Sequence, residues 1–183
     1  MTKTMRYLAL LRGVNVGGKA KLNMAELKAA LVTAGFTNVV TYITSGNVVF
    51  ASDRTGTQAL AEQVHAVIAN QFGMNIDVIV LSAPEWQAIV DGAPSWWGNE
   101  PGWKHNVLVL LPPYDMDATV AGIGILNPDI ERIATGPGVV YQAMSIELVG
   151  KTTTGNLSAS PSYRRLTIRN YNTTQKLMEL LGN

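Results

Sequence analysis

The sequence predicts an α+β fold in which one order of elements, βαββαβ followed by a helix, is written twice in tandem. Two observations predict it. Short runs of β-branched and aromatic residues alternate with stretches whose apolar residues recur every three or four positions. After a turn-rich stretch at 91–104, the same alternation restarts and again ends in a capped helix.

The first element, residues 5–12, is short and apolar and stops at a glycine-rich segment, as a buried strand does. Asn23 is placed to cap a helix, with Glu26 reaching back. Met24, Leu27, Leu31 and Ala34 then share a face, and Gly35 falls where a left-handed residue ends the helix. Residues 39–44 and 48–51 read as a hairpin around Ser45-Gly-Asn47. A second helix carries Leu60, Val64, Val67 and Ile68 and closes at Gly73. Residues 76–81 form the fourth strand. Ser82-Ala-Pro-Glu85 is a capping box that opens a helix to about Val90.

In the second half, residues 106–111 read as a strand and 117–122 as a short helix. Residues 130–134 and 139–144 form a hairpin around Gly136-Pro-Gly138. A second helix is due at 150–164, although that segment is rich in Thr, Ser and Gly. Residues 166–169 are the last strand, and Asn172-Thr-Thr-Gln175 caps a closing helix. The expected organisation is two tandem ferredoxin-like (α-β plait) subdomains, 1–92 and 105–183, joined by a linker at 93–104. Each has an antiparallel sheet with helices on one face. Trp96, Trp97 and Trp103 of the linker region are expected to pack between the subdomains, with base stacking as the alternative.

Composition is that of a folded chain, 47% hydrophobic and 15% charged. There is no cysteine, which excludes disulfides, thiolate nucleophiles and cysteine metal sites. The apolar run at 7–11 is too short for a signal peptide core, and the uncharged run 29–52 is broken by turn residues. A cytoplasmic protein without a membrane span is expected. The net charge of +1 hides a segregation. Ten of the fourteen basic residues lie in 1–25 and 148–178, which contain no Asp or Glu. The segment between them holds four basic residues against twelve acids. If the ends meet, they form one positive face suited to an anion.

Arg12-Gly-Val-Asn-Val-Gly-Gly-Lys19 nearly spells a phosphate loop, but Ala20 stands where a magnesium-binding hydroxyl is required. The helix also begins four residues after Lys19. A looser role remains, in which Gly17 and Gly18 let backbone N–H groups approach an anion and Arg12 and Lys19 add charge. The competing reading is a surface loop with incidental basic residues. Ser45 and Asn47 are either turn chemistry or ligand donors. Arg169 and Asn170, at the start of the last helix, and Lys176 one turn inward, suit an anion or simple capping. His65 and His105 lack the partners of a metal site or a catalytic triad, so no metal is expected and the catalytic residues are unassigned.

Three segments together resemble a known family: Arg12-Gly-Val-Asn-Val-Gly-Gly-Lys19 with Met24-Ala-Glu-Leu27, Thr41-Tyr-Ile-Thr-Ser-Gly-Asn-Val-Val-Phe50, and Thr167-Ile-Arg-Asn-Tyr-Asn-Thr-Thr-Gln-Lys-Leu177. The chain resembles, over essentially its whole length, the bacterial family of domain of unknown function 1697. The resemblance implies two α-β plait subdomains, and no established reaction, substrate or cofactor. Thr44 and Gly155-Asn156-Leu157 depart from the Gln and Ser-Lys-Leu frequent in that family.

The functional expectation is binding of an anionic ligand, either a phosphate-bearing, nucleotide-like small molecule or a nucleic acid. Arg12, Lys19 and Arg169 would take the charge, Gly17 and Gly18 allow close approach, and Asn15, Asn47 and Asn170 orient the ligand. Ser45 and Lys176 complete the candidate set. The alternatives are an enzyme acting on a small phosphorylated or carboxylated metabolite, and a non-catalytic protein-interaction module. The cofactor and the protein partner are left open.

Overall fold

The switches between a period of two and a period of 3.6 set the element boundaries. The computed structural model describes residues 4–18, 21–98 and 100–182. In chain order the elements are β1 (Met5–Leu11), α1 (Met24–Thr33), β2 (Thr37–Tyr42), β3 (Asn47–Ser52), α2 (Thr57–Phe72), β4 (Val78–Ser82) and α3 (Ala83–Asp91). They continue with β5 (Trp103–Leu110), α4 (Met116–Ile123), β6 (Glu131–Gly136), β7 (Val139–Ser145), β8 (Leu166–Asn170) and α5 (Tyr171–Gly182). The strands form two four-stranded antiparallel sheets, ordered β2-β3-β1-β4 and β6-β7-β5-β8. The order is the same in both, as two ferredoxin-like subdomains require. The chain divides into two compact units, 1–88 with 176–183, and 89–175. No helix among the described residues is long and apolar enough to cross a membrane.

In the first unit, alternate residues of β1 (Tyr7, Ala9, Leu11) and of β3 (Val48, Phe50) turn to one face. There they meet Leu27 and Leu31 of α1 and Leu60, Val64 and Ile68 of α2. Burying each large aliphatic side chain contributes about 1.5–3 kcal/mol. Helix α1 ends in a Schellman motif: Phe36 N–H donates to Leu31 C=O and Gly35 N–H to Val32 C=O. The motif also drops Phe36 into the core, edge-on to Phe50 at 4.7 Å between ring centres. Helix α3 opens with a full capping box. Ser82 N–H donates to Glu85 Oε2 at 2.7 Å, and Glu85 N–H donates back to Ser82 Oγ at 3.4 Å.

Two boundaries differ from the sequence expectation for a local reason. Strand β2 ends at Tyr42, and Ile43 lies in the left-handed region at φ 48°. A β-branched residue there is strained by about 1–3 kcal/mol, so the turn must be held by its surroundings. The last helix starts at Tyr171, and its N-cap is Asn170, whose Oδ1 accepts from Thr173 N–H at 2.8 Å, instead of Asn172.

The second unit repeats the plan over a core of Leu108, Leu110, Val140, Leu166, Ile123 and Leu157. Its second helix is replaced by three short 3₁₀ turns, Val149–Lys151, Thr154–Ala159 and Pro161–Arg165. Side-chain oxygens here take backbone bonds that a helix would need: Thr152 Oγ1 donates to Val149 C=O and accepts from Gly155 N–H. The segment is tied to the sheet by Glu131, which is fully buried. Its carboxylate accepts from the amides of Asn127, Thr153 and Thr154 and from the Thr154 hydroxyl, at 2.7–3.0 Å. Burial alone would raise the Glu131 pKa; these four donors outweigh it and hold the group below its ordinary value of 4.5.

A depressed folded pKa contributes stability that is present above the unfolded value and lost as pH falls through the folded one. Stability should therefore fall on acidification below pH 4.5, and Glu131→Gln should flatten that dependence. Because the Gln amide turns N–H toward N–H, the variant should also lose about 1–3 kcal/mol at neutral pH. Urea midpoints of both proteins from neutral to acid pH check this. A second expectation concerns Gly46, at φ 84°, where an added Cβ would lie 2.7 Å from Leu11 Cβ and 2.5 Å from Val14 Cγ2. Gly46→Ala should cost about 2–4 kcal/mol by urea unfolding. Gly35→Ala meets open space at φ 95° and should cost only its backbone strain, about 1–2 kcal/mol.

Candidate functional site

The loop that leaves β1 carries four left-handed residues in six: Gly13, Asn15, Gly17 and Gly18, at φ of 70°, 54°, 60° and 74°. Asn tolerates this region better than other side chains because its short amide bonds locally. Asn15 does so three times. Its Nδ2 donates to Leu22 C=O at 2.8 Å and to Thr44 C=O at 2.7 Å, and its Oδ1 accepts from Leu22 N–H at 2.9 Å. One side chain thus closes the loop on itself and ties it to the β2–β3 turn. Gly46 completes the union: its C=O accepts from Leu11 N–H at 2.8 Å, and Leu11 and Val14 pack where its side chain would be.

The turn is braced from inside as well. Asn47 is fully buried, and its Nδ2 donates to Tyr42 C=O at 3.1 Å and to Ser45 Oγ at 3.3 Å. The carbonyls on either side of strained Ile43 are therefore each held by an asparagine amide. Asn15 and Asn47 shape the site: the Asn15 amide is committed to the backbone, and the Asn47 amide to the backbone and to Ser45 Oγ.

An open groove of about 730 Å³ lies between this loop and the start of α1. It is bounded by Asn15 and Gly18 of the loop, Lys21 to Ala25 at the helix start, and Thr44 of the hairpin. Met24 and Ala25 give it apolar surface above buried Leu22; Lys21 is exposed and supplies a positive charge. Asn23 caps the helix with its Oδ1 on the amides of Ala25 and Glu26, so no acidic side chain serves as the cap. No Asp, Glu or His is among the described residues that line the groove.

The other expected site residues fall as follows. Arg12 lies 3.9 Å from the Asp77 carboxylate, a loose pair, and its main-chain N–H donates to Asp77 C=O. Gly17 and Gly18 are exposed in the loop, and Lys19 lies outside the described residues. Arg169, in the second unit, is only 5% exposed and donates to Thr167 Oγ1 and Ile168 C=O, each at 2.8 Å. Burial pushes its pKa down to about 10. Asn170 spends its Oδ1 on the α5 cap. Lys176 bonds Glu179 at 2.6 Å, which raises the lysine pKa above its ordinary value.

The structure therefore brings Asn15, Gly18 and the hairpin turn together around one groove. Sequence reasoning missed Lys21, Leu22 and Thr44 there. Lys21 carries the one available signal, a basic residue two positions before an N-cap.

The tryptophan segment is engaged within the second unit. Trp97 is buried, donates its indole N–H to Asn106 C=O at 2.8 Å, and packs edge-on to Tyr141 and Tyr171. Trp96 and Trp103 hold the Arg132 guanidinium at 5.5 and 4.5 Å from their ring centres, and Glu100 pairs with it at 2.8 Å. Neither the Trp97 ring nor the Arg132-covered face of Trp103 is offered to a base.

Comparison with known proteins agrees with the sequence resemblance. No curated protein matches the chain. Among solved structures, the conserved bacterial protein SP0830 from Streptococcus pneumoniae is similar throughout, with 31% identity and a TM-score of 0.86. That match covers 98% of this chain and 99% of the other. Residues 5–141 match the family described as protein of unknown function (DUF1697), and the chain belongs to that family.

Proposed function

We propose that the first unit binds a phosphate-bearing, nucleotide-like small molecule in the groove between the glycine-rich loop and the start of α1. The observation that carries the proposal is that Asn15 and Gly18 of the glycine-rich loop line that groove together with Lys21 and the start of α1. The phosphate sits over Gly17 and Gly18, where no side chain screens the backbone, with Lys21 as counter-charge and the positive end of the α1 dipole below. The apolar surface of Met24 and Ala25 takes the uncharged body of the ligand.

The groove volume lies within the range of small-molecule sites, about 300–1,000 Å³, which favours a small ligand over a nucleic acid strand. Binding without catalysis is favoured because, among the described residues, the lining offers no general acid or base besides a lysine. The bracing of the loop by Asn15 and of the turn by Asn47 means that little ordering is left for the ligand to impose.

A thermal-shift panel of nucleotides, sugar phosphates and short RNA and DNA oligomers tests the proposal. A ligand at 100 times its Kd adds about 2.7 kcal/mol, which for a chain of this size is roughly 5–10 °C. Lys21→Ala, at an exposed position, should leave the unliganded Tm nearly unchanged and abolish the shift. A shift that survives Lys21→Ala undiminished contradicts the proposal. An oligomer whose affinity falls linearly and steeply in log salt identifies nucleic acid as the ligand instead.

A further inference from the structure

The second unit has a cavity at the equivalent place, where the chain leaves its first strand and enters its first helix. It is an open depression of about 450 Å³ beside the start of α4, lined also by residues of the turn that precedes β8. The two cavities share a topological position and differ in charge. The helix cap in the first unit is neutral Asn23; in the second it is Asp115, whose Oδ1 accepts from Ala118 N–H at 2.9 Å. Arg165 lines the same depression, and both residues are exposed.

Arg165 is fixed from behind. Its Nη2 donates to Pro113 C=O at 2.8 Å and to Leu111 C=O at 3.4 Å, while its own C=O accepts from Leu111 N–H at 2.8 Å. Gly122 lets the 161–165 turn approach α4 closely, since a Cβ there would overlap the Ser162 hydroxyl, and Ser160 Oγ donates to Gly122 C=O. These contacts hold a guanidinium and a carboxylate on the walls of one cavity. Neither comes within 4.0 Å of the other or of any other opposite charge among the described residues. Each charged group is spent partly on the backbone, Asp115 on the α4 cap and Arg165 on the Leu111 and Pro113 carbonyls.

We propose that this cavity binds a small zwitterion of the amino-acid class, its carboxylate on Arg165 and its ammonium on Asp115. A simple anion would face the Asp115 carboxylate and a simple cation the Arg165 guanidinium; a dipolar molecule satisfies both. The Ser162 hydroxyl, which lines the cavity, adds a donor, and Tyr114 and Pro113 provide apolar wall. This reading is independent of the phosphate groove in the first unit.

The test is an amide NMR titration of the full chain with glycine, L-leucine and 4-aminobutyrate, using butyrate and butylamine as single-charge controls. The expected result is saturable shifts at Tyr114, Ala118 and Ser162 with at least one zwitterion, at least about tenfold tighter than either control. Asp115→Asn keeps the helix cap and should remove that preference while leaving Tm unchanged. Arg165→Gln, which still offers a donor to Pro113 C=O, should abolish binding. If no zwitterion moves these amides at millimolar concentration, the proposal is overturned. It is also overturned if butyrate binds as tightly as the zwitterions and Asp115→Asn changes nothing.

Discussion

One side chain amide, that of Asn15, sets the geometry on which the candidate site depends. Its three hydrogen bonds close the loop after β1 and join it to the β2–β3 turn. That turn contains a β-branched residue, Ile43, in a conformation that it adopts only under constraint. The constraint comes from both sides, through Asn15 on Thr44 C=O and Asn47 on Tyr42 C=O. Gly46 is the third member, because only a residue without Cβ leaves room for Leu11 and Val14. The two N-terminal motifs are thus one structural unit, a braced corner with a groove beside it. Several motif residues that look like ligand donors in the sequence are what makes that corner rigid.

The duplicated fold shows what is conserved between the halves and what is free to change. Both sheets have the same strand order, and both units place a cavity at the start of the first helix. The second helix of the repeat is dispensable. Where Thr, Ser, Gly and Pro compete with helical hydrogen bonding, three 3₁₀ turns take its place, anchored by a buried carboxylate with four donors. The helix cap beside the cavity is neutral Asn23 in one unit and Asp115 in the other, both with extended backbone. The same architecture accordingly presents a basic groove in one unit and a dipolar cavity in the other.

Much of the fold was legible because it is written in local chemistry. Gly35 after an apolar helix face spells a left-handed helix ending, and Ser82 with Glu85 spells a capping box; both form as read. The two four-stranded antiparallel sheets followed from counting elements. The last helix start was misread because Asn170 and Asn172 are equally good caps by composition. The choice falls to the strand, which runs through to Asn170. The site was less legible. Arg169 reads as an exposed anion ligand because it is charged, yet it lies opposite Val107 in the sheet, and burial there follows from tertiary packing alone. Asn15 and Asn47 read as ligand donors because nothing local reveals that their partners are carbonyls 29 and 5 residues away. The groove itself arises from the meeting of segments distant in sequence.

The most direct measurement is amide hydrogen exchange at Leu22, whose N–H donates to Asn15 Oδ1, in the native chain and in Asn15→Gly. Glycine adopts the φ of 54° without strain, so the substitution removes the three hydrogen bonds and little else. If Asn15 holds the corner, Leu22 should exchange much faster in the variant and global stability should fall by about 1–3 kcal/mol. Unchanged protection at Leu22, with unchanged stability, would mean that the loop holds its shape without that amide and would contradict the account.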